Sequence, residues 1–503
     1  MADPFYITTA ISYPNGPPHI GHAYEAIAAD AMARFQRAQG RDVRFQTGTD
    51  EHGLKMAQAA RAEGIEPRIF ANKMSLLFKS MCDTLNVSYD RFILTSEAEH
   101  YRASQAIWQA MEARGDLYLG RYEGWYSVRD EAYYDESEIV ANEGGEKLSP
   151  HGTPVEWTVE ESWFFKLSAY QQKLLDHYSA NPGFIQPDSR RNEVLRFVEG
   201  GLSDLSISRT SFDWGVPVPG SDGHVMYVWL DALTNYITGL GYPDDTELWR
   251  RYWPADVHLI GKDVVRFHAV YWPAFLMSAG IALPKQVYGH GFLLSRGEKM
   301  SKSVGNVVDP MVLAERFGVD ALRYFLLREV PFGQDGSYSA EAIVNRANAE
   351  LANSFGNLAQ RTLSMVVKNL DGILPAAGEA AEDRELLDQV RRAAKEEVPE
   401  AFDRFAFSVG IEAWLRAVFA CNAYVDTQAP WALRKTDPER MAAVLGTLVA
   451  AVRDLTRAIA PIIPESADKL LSVLDAGVGG GPIAQPTPLF PRLELPEDEE
   501  AAA

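Results

Sequence analysis

Apolar and polar residues follow two different periods along this chain. Phe5 to Ile11 is a short run of β-branched and aromatic side chains, which predicts a buried strand. Pro14, Pro17 and Pro18 cannot continue it. From His19 the spacing changes: Ile20, Tyr24, Ile27, Ala31 and Phe35 fall on one face of a helix that Gly40 ends. Val43 to Gly48 predicts a second strand ending in a glycine turn. Strand, turn, helix, strand is the opening of a doubly wound parallel α/β sheet, Rossmann-like in type.

The rhythm breaks between residues 115 and 224, where short strand-like pieces alternate with turn clusters such as NEGGEKLSPHGTP. This predicts a β-rich insertion that splits the sheet. The α/β pattern resumes at Val225 to Trp229, continues with a strand at Val257 to Gly261 and a helix from Val264 to Ala279, and reaches Val287 to His290. From about 340 to 474 the apolar spacing is helical throughout and predicts a bundle. The expected organisation is a catalytic first half at 1–114, the insertion at 115–224, the second catalytic half at 225–295, a connecting region at 296–345, a helical domain at 346–485 and a tail at 486–503.

Composition narrows the class. The chain has 503 residues, 47% hydrophobic and 11% aromatic, enough for several packed cores. The formal net charge of -21 makes a generic phosphate-backbone binder, DNA above all, a poor expectation, although a local basic face on an acidic chain still binds RNA. The two cysteines, Cys82 and Cys421, stand too far apart for a disulfide framework or a thiolate metal knuckle. The N-terminus has neither a basic segment nor a long apolar core, and no apolar run is long enough to span a bilayer. A cytoplasmic location with no membrane attachment is therefore expected.

Two short motifs carry candidate chemistry. His19-Ile20-Gly21-His22 opens a helix after the first strand, where α/β sheets take ligands and where helix ends favour anions. Two histidines there can donate to phosphate oxygens as charge shifts. Alone, the pair reads more readily as a turn histidine beside a surface one, and a zinc reading lacks a third ligand beside it. Lys299-Met300-Ser301-Lys302-Ser303 lies in a glycine-flanked loop whose lysines and hydroxyls suit a polyphosphate clamp, or simply an exposed basic loop.

HIGH followed by KMSKS on a split nucleotide-binding sheet resembles the class I aminoacyl-tRNA synthetases. Several stretches resemble methionyl-tRNA synthetases in particular: AISYPNGPPHIGH, TGTDEHG at Thr47 to Gly53, YVWLDALTNY at Tyr227 to Tyr236, LIGKDVVRFHAVYWPA at Leu259 to Ala274, GHGFLLSRGEKMSKS and YVDTQAPW at Tyr424 to Trp431. The resemblance covers nearly the whole chain with the motif order preserved. It implies an ATP-dependent methionine–tRNA ligase whose substrates are L-methionine, ATP with Mg²⁺, and initiator and elongator tRNA(Met).

By resemblance, His19, His22, Lys299 and Lys302 serve the phosphates during catalysis, and Gly21, Gly261, Asp263 and Leu293 meet the adenosine. The methionine pocket is expected from Ile11, Tyr13, Asp50, Trp229, Ala232, Leu233, Tyr236, Val264, His268 and Trp272, with Asp50 holding the α-ammonium and Arg209 steadying Asp50. Family members often carry proline where this chain has Leu233. Asn357, Arg361 and Trp431 are expected to read the anticodon. Many relatives bear a cysteine zinc knuckle in the insertion; here Ser127, Asp130, Ser149 and His151 fall at those places, so no structural zinc is expected, and packing by Trp125, Tyr133, Tyr134, Trp157 and Trp163 is expected to hold the module. The chain stops without the C-terminal dimerisation domain of some relatives, so a monomer is expected.

Overall fold

The computed structural model describes residues 2–495 apart from 131, 143, 296–297, 300–306 and 479, with the backbone alone at 122, 132, 295, 298 and 299. Its contacts divide into two compact units: Met1–Pro18 with Gly40–Asp83 and Ser88–His290, and His19–Gln39 with Thr84–Val87 and Gly291–Ala503.

The first unit is built on a six-stranded sheet, parallel throughout. Pro4–Thr9 lies inside it, with Asp42–Thr49 and then Arg91–Leu94 on one side and Val257–Gly261, Val287–His290 and Ile185–Gln186 on the other. The early chain builds outward one way and the later chain the other. The order therefore reverses between Pro4–Thr9 and Val257–Gly261, and a ligand crevice opens beyond the C-terminal ends of strands at such a point. Both central strands are buried on both faces, which is why they read as continuous apolar runs rather than alternating ones. The strand expected at Val43 to Gly48 extends over Asp42–Thr49.

The core beside the sheet gathers Trp108 and Ile107 from helix Ala98–Ala113, Leu230, Leu233 and Tyr236 from helix Val228–Thr238, and Trp272, Phe275 and Leu276 from helix Trp272–Ala279. The helix expected over Val264 to Ala279 is broken: a 3₁₀ turn at Lys262–Val264 and a π turn at Phe267–Tyr271 precede the α segment. Single π turns inside helices frequently mark functional sites, because the extra residue re-aims side chains. Val225–Met226 does not rejoin the large sheet. It pairs with Ser208–Arg209 in a two-stranded ribbon, and the chain turns helical from Val228.

The insertion is β-rich only in its first half. Leu117–Ser127 and Glu156–Phe165 form a long antiparallel hairpin, flanked by Ala132–Tyr134 and Leu205–Ser206. Its second half contains helices Gln171–Ala180 and Asp188–Glu199, and the strand between them, Ile185–Gln186, adds to the edge of the large sheet. The apolar residues Phe184 and Ile185 make this return favourable, since both are buried in the sheet's core. The expected aromatic packing is present in part: Trp125 meets Trp157 edge-on at 5.3 Å and Trp163 meets Trp108 at 6.0 Å, while Trp157 itself remains half exposed.

At the positions where a zinc knuckle was considered, the side chains bind one another. Ser149 Oγ donates to Asp130 Oδ2 at 2.7 Å, Thr153 and Tyr134 hydroxyls donate to the same carboxylate, and Ser127 Oγ lies 2.7 Å from Thr153 Oγ1. Ser127, Ser149 and Thr153 are buried. His151 donates its backbone N–H to Ser149 and sets its ring against Tyr134. Among the described residues no cluster of three or more His, Cys, Asp or Glu is arranged to hold a metal.

The second unit contains helix Ile20–Ala38, a small sheet of Leu293–Ser295, Glu298–Lys299 and Gly336–Tyr338, and a bundle that runs to helix Pro464–Ala476. Arg323 is its buried hub. It is on helix Val319–Arg328 and is fully enclosed, donating to Asp30 Oδ2 at 2.6 Å and to the carbonyls of Leu85, Pro461 and Ile462 at 3.0–3.1 Å. Helix Ile20–Ala38 is further fixed by Gln36, which donates to Asp403, and by the Phe35 ring against Phe402. No helix among the described residues is long and apolar enough to cross a membrane.

Candidate active site

The crevice of the first unit assembles most of the expected methionine positions. The ends of two strands are zipped together: Ser12 N–H bonds Gly48 O at 3.0 Å, and Asp50 N–H bonds Ser12 O at 2.8 Å. This sets Ile11 and Tyr13 beside Asp50, which is buried. The Tyr13 hydroxyl accepts from Met56 N–H at 3.1 Å.

Helix Val228–Thr238 presents Trp229 and, three, four and seven residues after it, Ala232, Leu233 and Tyr236 along one face. Opposite, Val264, His268 and Trp272 follow at intervals of four. The two faces meet where Tyr236 Oη lies 2.6 Å from His268 Nε2. His268 Nδ1 lies 2.9 Å from Val264 O, and a carbonyl only accepts, so the ring proton sits on Nδ1. Nε2 then accepts from the tyrosine hydroxyl. Burial lowers the His268 pKa to about 4, so the imidazole is neutral and the wall carries no charge. Ala232, Leu233, Tyr236 and Trp272 are all buried. A neutral, aromatic wall suits a thioether, which offers polarisable contact rather than strong hydrogen bonding.

Sequence reasoning missed two members of this wall. Phe267 stacks on Trp229 with ring centres 3.8 Å apart and planes 5° from parallel. His258 stacks behind Tyr236 at 4.0 Å and takes a bond from Trp272 Nε1 at 3.3 Å, with Thr8 Oγ1 2.7 Å from its other nitrogen. No local spacing signals His258, because it sits in a strand buried on both faces. At the strand's end, a Cβ on Gly261 would come within 2.8 Å of the Asp263 carboxylate, so glycine lets that exposed acid fold back over the turn.

Arg209 requires a correction. Its guanidinium lies 4.3 Å from the Tyr133 ring, 4.6 Å from Tyr227 and 5.6 Å from Tyr126, with Nε 3.9 Å from Glu160. Its hydrogen bonds go to Ser206 and Ser208, not to Asp50. The sequence offered the charge but not the tyrosine cage, which is assembled by two strands of the insertion and the residue that caps helix Val228–Thr238.

In the second unit the two histidines cap their helix reciprocally. His19 Nδ1 accepts Gly21 N–H, and His22 Nδ1 accepts His19 N–H, both at 3.1 Å, with ring centres 3.8 Å apart. Each neutral ring therefore carries its proton on Nε2. A Cβ on Gly21 would sit 2.9 Å from the His19 ring, so the glycine already has a reason within the cap, besides any approach of adenine. Ile20 N–H bonds Val308 O at 3.0 Å, tying this helix start to the segment that follows the KMSKS loop. Leu293 is buried in the hairpin, whose partner strand places Lys299 opposite Leu294; the Lys299 side chain and all of Lys302 lie outside the described residues.

Of the expected anticodon residues, Asn357 and Arg361 are exposed one turn apart on helix Asn357–Asn369. Arg361 sits 5.6 Å over the Trp431 ring and 3.9 Å from Asp426. Trp431 is half exposed.

Residues 5–363 match the family described as tRNA synthetases class I (M), and residues 374–480 match the anticodon binding domain of methionyl tRNA ligase. The chain belongs to the methionyl-tRNA synthetase family. It is similar to the methionine–tRNA ligase of Brucella suis, 60% identical over 97% of this chain and 98% of that one. It resembles the Mycobacterium tuberculosis ligase at 56%, over 99% of each chain. Among solved structures, the Mycobacterium tuberculosis methionyl-tRNA synthetase in complex with methionyl-adenylate matches with a TM-score of 0.94 at 56% identity, covering 97% of this chain and 100% of that one. Its apo form matches at 0.88 and 52%, covering 99% of each. The split sheet and helical bundle are thus those of a class I methionyl-tRNA synthetase.

Proposed function

We propose that this synthetase runs the methionine–tRNA ligase reaction with the residues assembled above. The α-carboxylate of L-methionine attacks the α-phosphorus of ATP, which arrives with Mg²⁺ as substrate. Pyrophosphate leaves and methionyl-adenylate forms. The 2′-hydroxyl of the terminal adenosine of tRNA(Met) then takes the methionyl group and AMP departs. No side-chain nucleophile is needed; positioning and charge stabilisation carry the rate.

The observation that carries the reading is the neutral aromatic wall closed by the Tyr236–His268 bond at 2.6 Å, beside the buried Asp50. In this reading Asp50 receives the α-ammonium. Ile11, Tyr13, Trp229, Ala232, Leu233, Val264 and Trp272 enclose the side chain. Gly261, Asp263, Gly21 and Leu293 take the adenosine, and the Nε2 protons of His19 and His22 act on the phosphates with Lys299 and Lys302. Asn357, Arg361 and Trp431 take the anticodon by hydrogen bonding and stacking. Arg209 acts at a remove, by stiffening the insertion's root. The linear boundaries at 114, 224, 295, 345 and 485 remain our division of labour among the segments. Because the product feeds translation, we place the enzyme in the cytoplasm.

Amino-acid-dependent exchange between pyrophosphate and ATP tests the reading. Methionine is expected to stimulate it above all other amino acids. Stimulation by leucine or valine beyond methionine overturns the specificity, and no stimulation at all means a chain that only binds tRNA.

A further inference from the structure

Two of the motif segments contain polar residues that the pocket itself does not use. His52 follows Asp50 by two residues, and Asp231 sits on the helix that carries Trp229, Ala232 and Leu233. The two are joined. His52 Nδ1 lies 2.7 Å from Asp231 Oδ2, and His100 Nε2 lies 2.6 Å from Asp231 Oδ1. All three side chains are buried to within 1% of full enclosure.

The hydrogen-bond pattern fixes the protons. Thr238 Oγ1 gives its hydrogen to Thr234 O, so toward His100 Nδ1, 3.1 Å away, it only accepts. Burial pushes the Asp231 carboxyl up, but the His52 and His100 imidazoles bonded to it outweigh that and hold its pKa below the ordinary carboxylate range, so this group accepts as well. Both nitrogens of His100 are thus held, Nδ1 toward Thr238 and Nε2 toward Asp231 with Ser104 Oγ 3.2 Å away. His52 gives one proton to Asp231, and Tyr101 Oη stands 2.9 Å from its Nε2. The ring is held edge-on between Trp214 and Tyr101 at 5.0 and 5.3 Å. The neighbouring Glu51 is fastened separately, its carbonyl to Trp214 Nε1 and its carboxylate to Ser75, both at 2.6 Å.

An enclosed carboxylate–imidazole network of this kind adds little stability over an apolar filling of equal volume; what it adds is a directional constraint. We infer that His52, Asp231 and His100 are positioning residues for methionine: they fix the loop bearing Asp50 against the helix bearing the side-chain wall, and so set the distance between the ammonium subsite and the thioether pocket. The inference rests on the proposed role of Asp50.

The test compares two inhibitors of methionine-dependent exchange that differ only in the amine, methioninol and 4-(methylthio)butan-1-ol. Asp231→Asn and His52→Leu are expected to weaken methioninol at least tenfold and to leave the amine-free alcohol within twofold. His52→Asn, whose amide can donate from the place of Nδ1, is expected to recover most of the loss. Asp50→Asn is the reference and is expected to show the same selective loss. If Asp50→Asn is selective but Asp231→Asn and His52→Leu weaken both inhibitors equally, or neither, the network is mere packing and the inference is overturned. If Asp50→Asn is itself unselective, the ammonium reading fails and takes the inference with it. Should Asp231→Asn not fold, His52→Leu carries the comparison alone.

Discussion

His268 shows how much one proton's address decides. The Val264 carbonyl claims Nδ1–H, burial keeps the ring neutral, and the remaining lone pair faces Tyr236. The consequence for stability has a definite sign. In the unfolded chain the imidazole binds a proton near its ordinary 6.5, while in the fold it does so only near 4. Protons therefore favour the unfolded chain as pH falls through that window, and stability present at pH 7 is lost. Against a His268→Asn variant, the wild type's stability advantage is expected to shrink by about 2 kcal/mol between pH 7 and pH 4.5, read from denaturant melts. This was only half legible beforehand. The motif placed His268 at the pocket, but the Val264 bond that fixes its tautomer depends on a local helical turn. Likewise the sequence placed Arg209 near the site and could not foresee Tyr126, Tyr133 and Tyr227 closing around it, since two of the rings come from a strand pair early in the insertion and the third from the start of helix Val228–Thr238.

Among elements, helix Ile20–Ala38 was the easiest to read and the easiest to misjudge. Its apolar face was plain, and its start was predicted one residue early at the capping His19. Asp30 gave no sign of being interior, yet it is fully buried, because Arg323 arrives from 293 residues away to pair with it. Removing that arginine leaves the buried Asp30 with Arg34 as its ion-pair partner and takes the donor from the carbonyls of Leu85, Pro461 and Ile462. Arg323→Ala is expected to cost about 3–5 kcal/mol in unfolding experiments, and Asp30→Asn less, since the amide keeps an acceptor and the carbonyls keep their donor. The exposed face of the bundle should behave in the opposite way. Arg361→Ala and Trp431→Ala are expected to leave melting temperature and pyrophosphate exchange within error while lowering kcat/KM for tRNA at least tenfold, as measured by charging. An equal fall in exchange would place these residues in the fold's support instead.

The molecule as a whole is less linear than its motifs. The strands Pro4–Thr9, Asp42–Thr49 and Val257–Gly261 and the helical second half follow from hydrophobic period; Arg91–Leu94 and the return of Ile185–Gln186 to the sheet's edge do not. The unit boundaries do not, because helix Ile20–Ala38, early in the chain, packs with helices from its far end through Gln36–Asp403, Phe35–Phe402 and Asp30–Arg323. Arg323 in turn binds the carbonyls of Pro461 and Ile462. A chain cut after residue 345 is therefore expected to misfold or to melt more than 10 °C lower, rather than to persist as a free-standing activating enzyme. Circular dichroism of the purified fragment checks this directly.

The serine, threonine and aspartate cluster in the insertion carries the last consequence. Where a thiolate knuckle would need an ion from the surroundings and a reductant to keep its sulfurs intact, Ser127, Asp130, Ser149 and Thr153 draw only on their own hydroxyls and one carboxylate. A cell starved of trace metals, or under peroxide attack, would keep this loop in working order without importing or repairing anything. Protein treated with a strong chelator, freed of it and assayed with Mg²⁺ restored, or treated with mild peroxide, is expected to retain its charging rate, and a fall that added zinc restores would refute that independence.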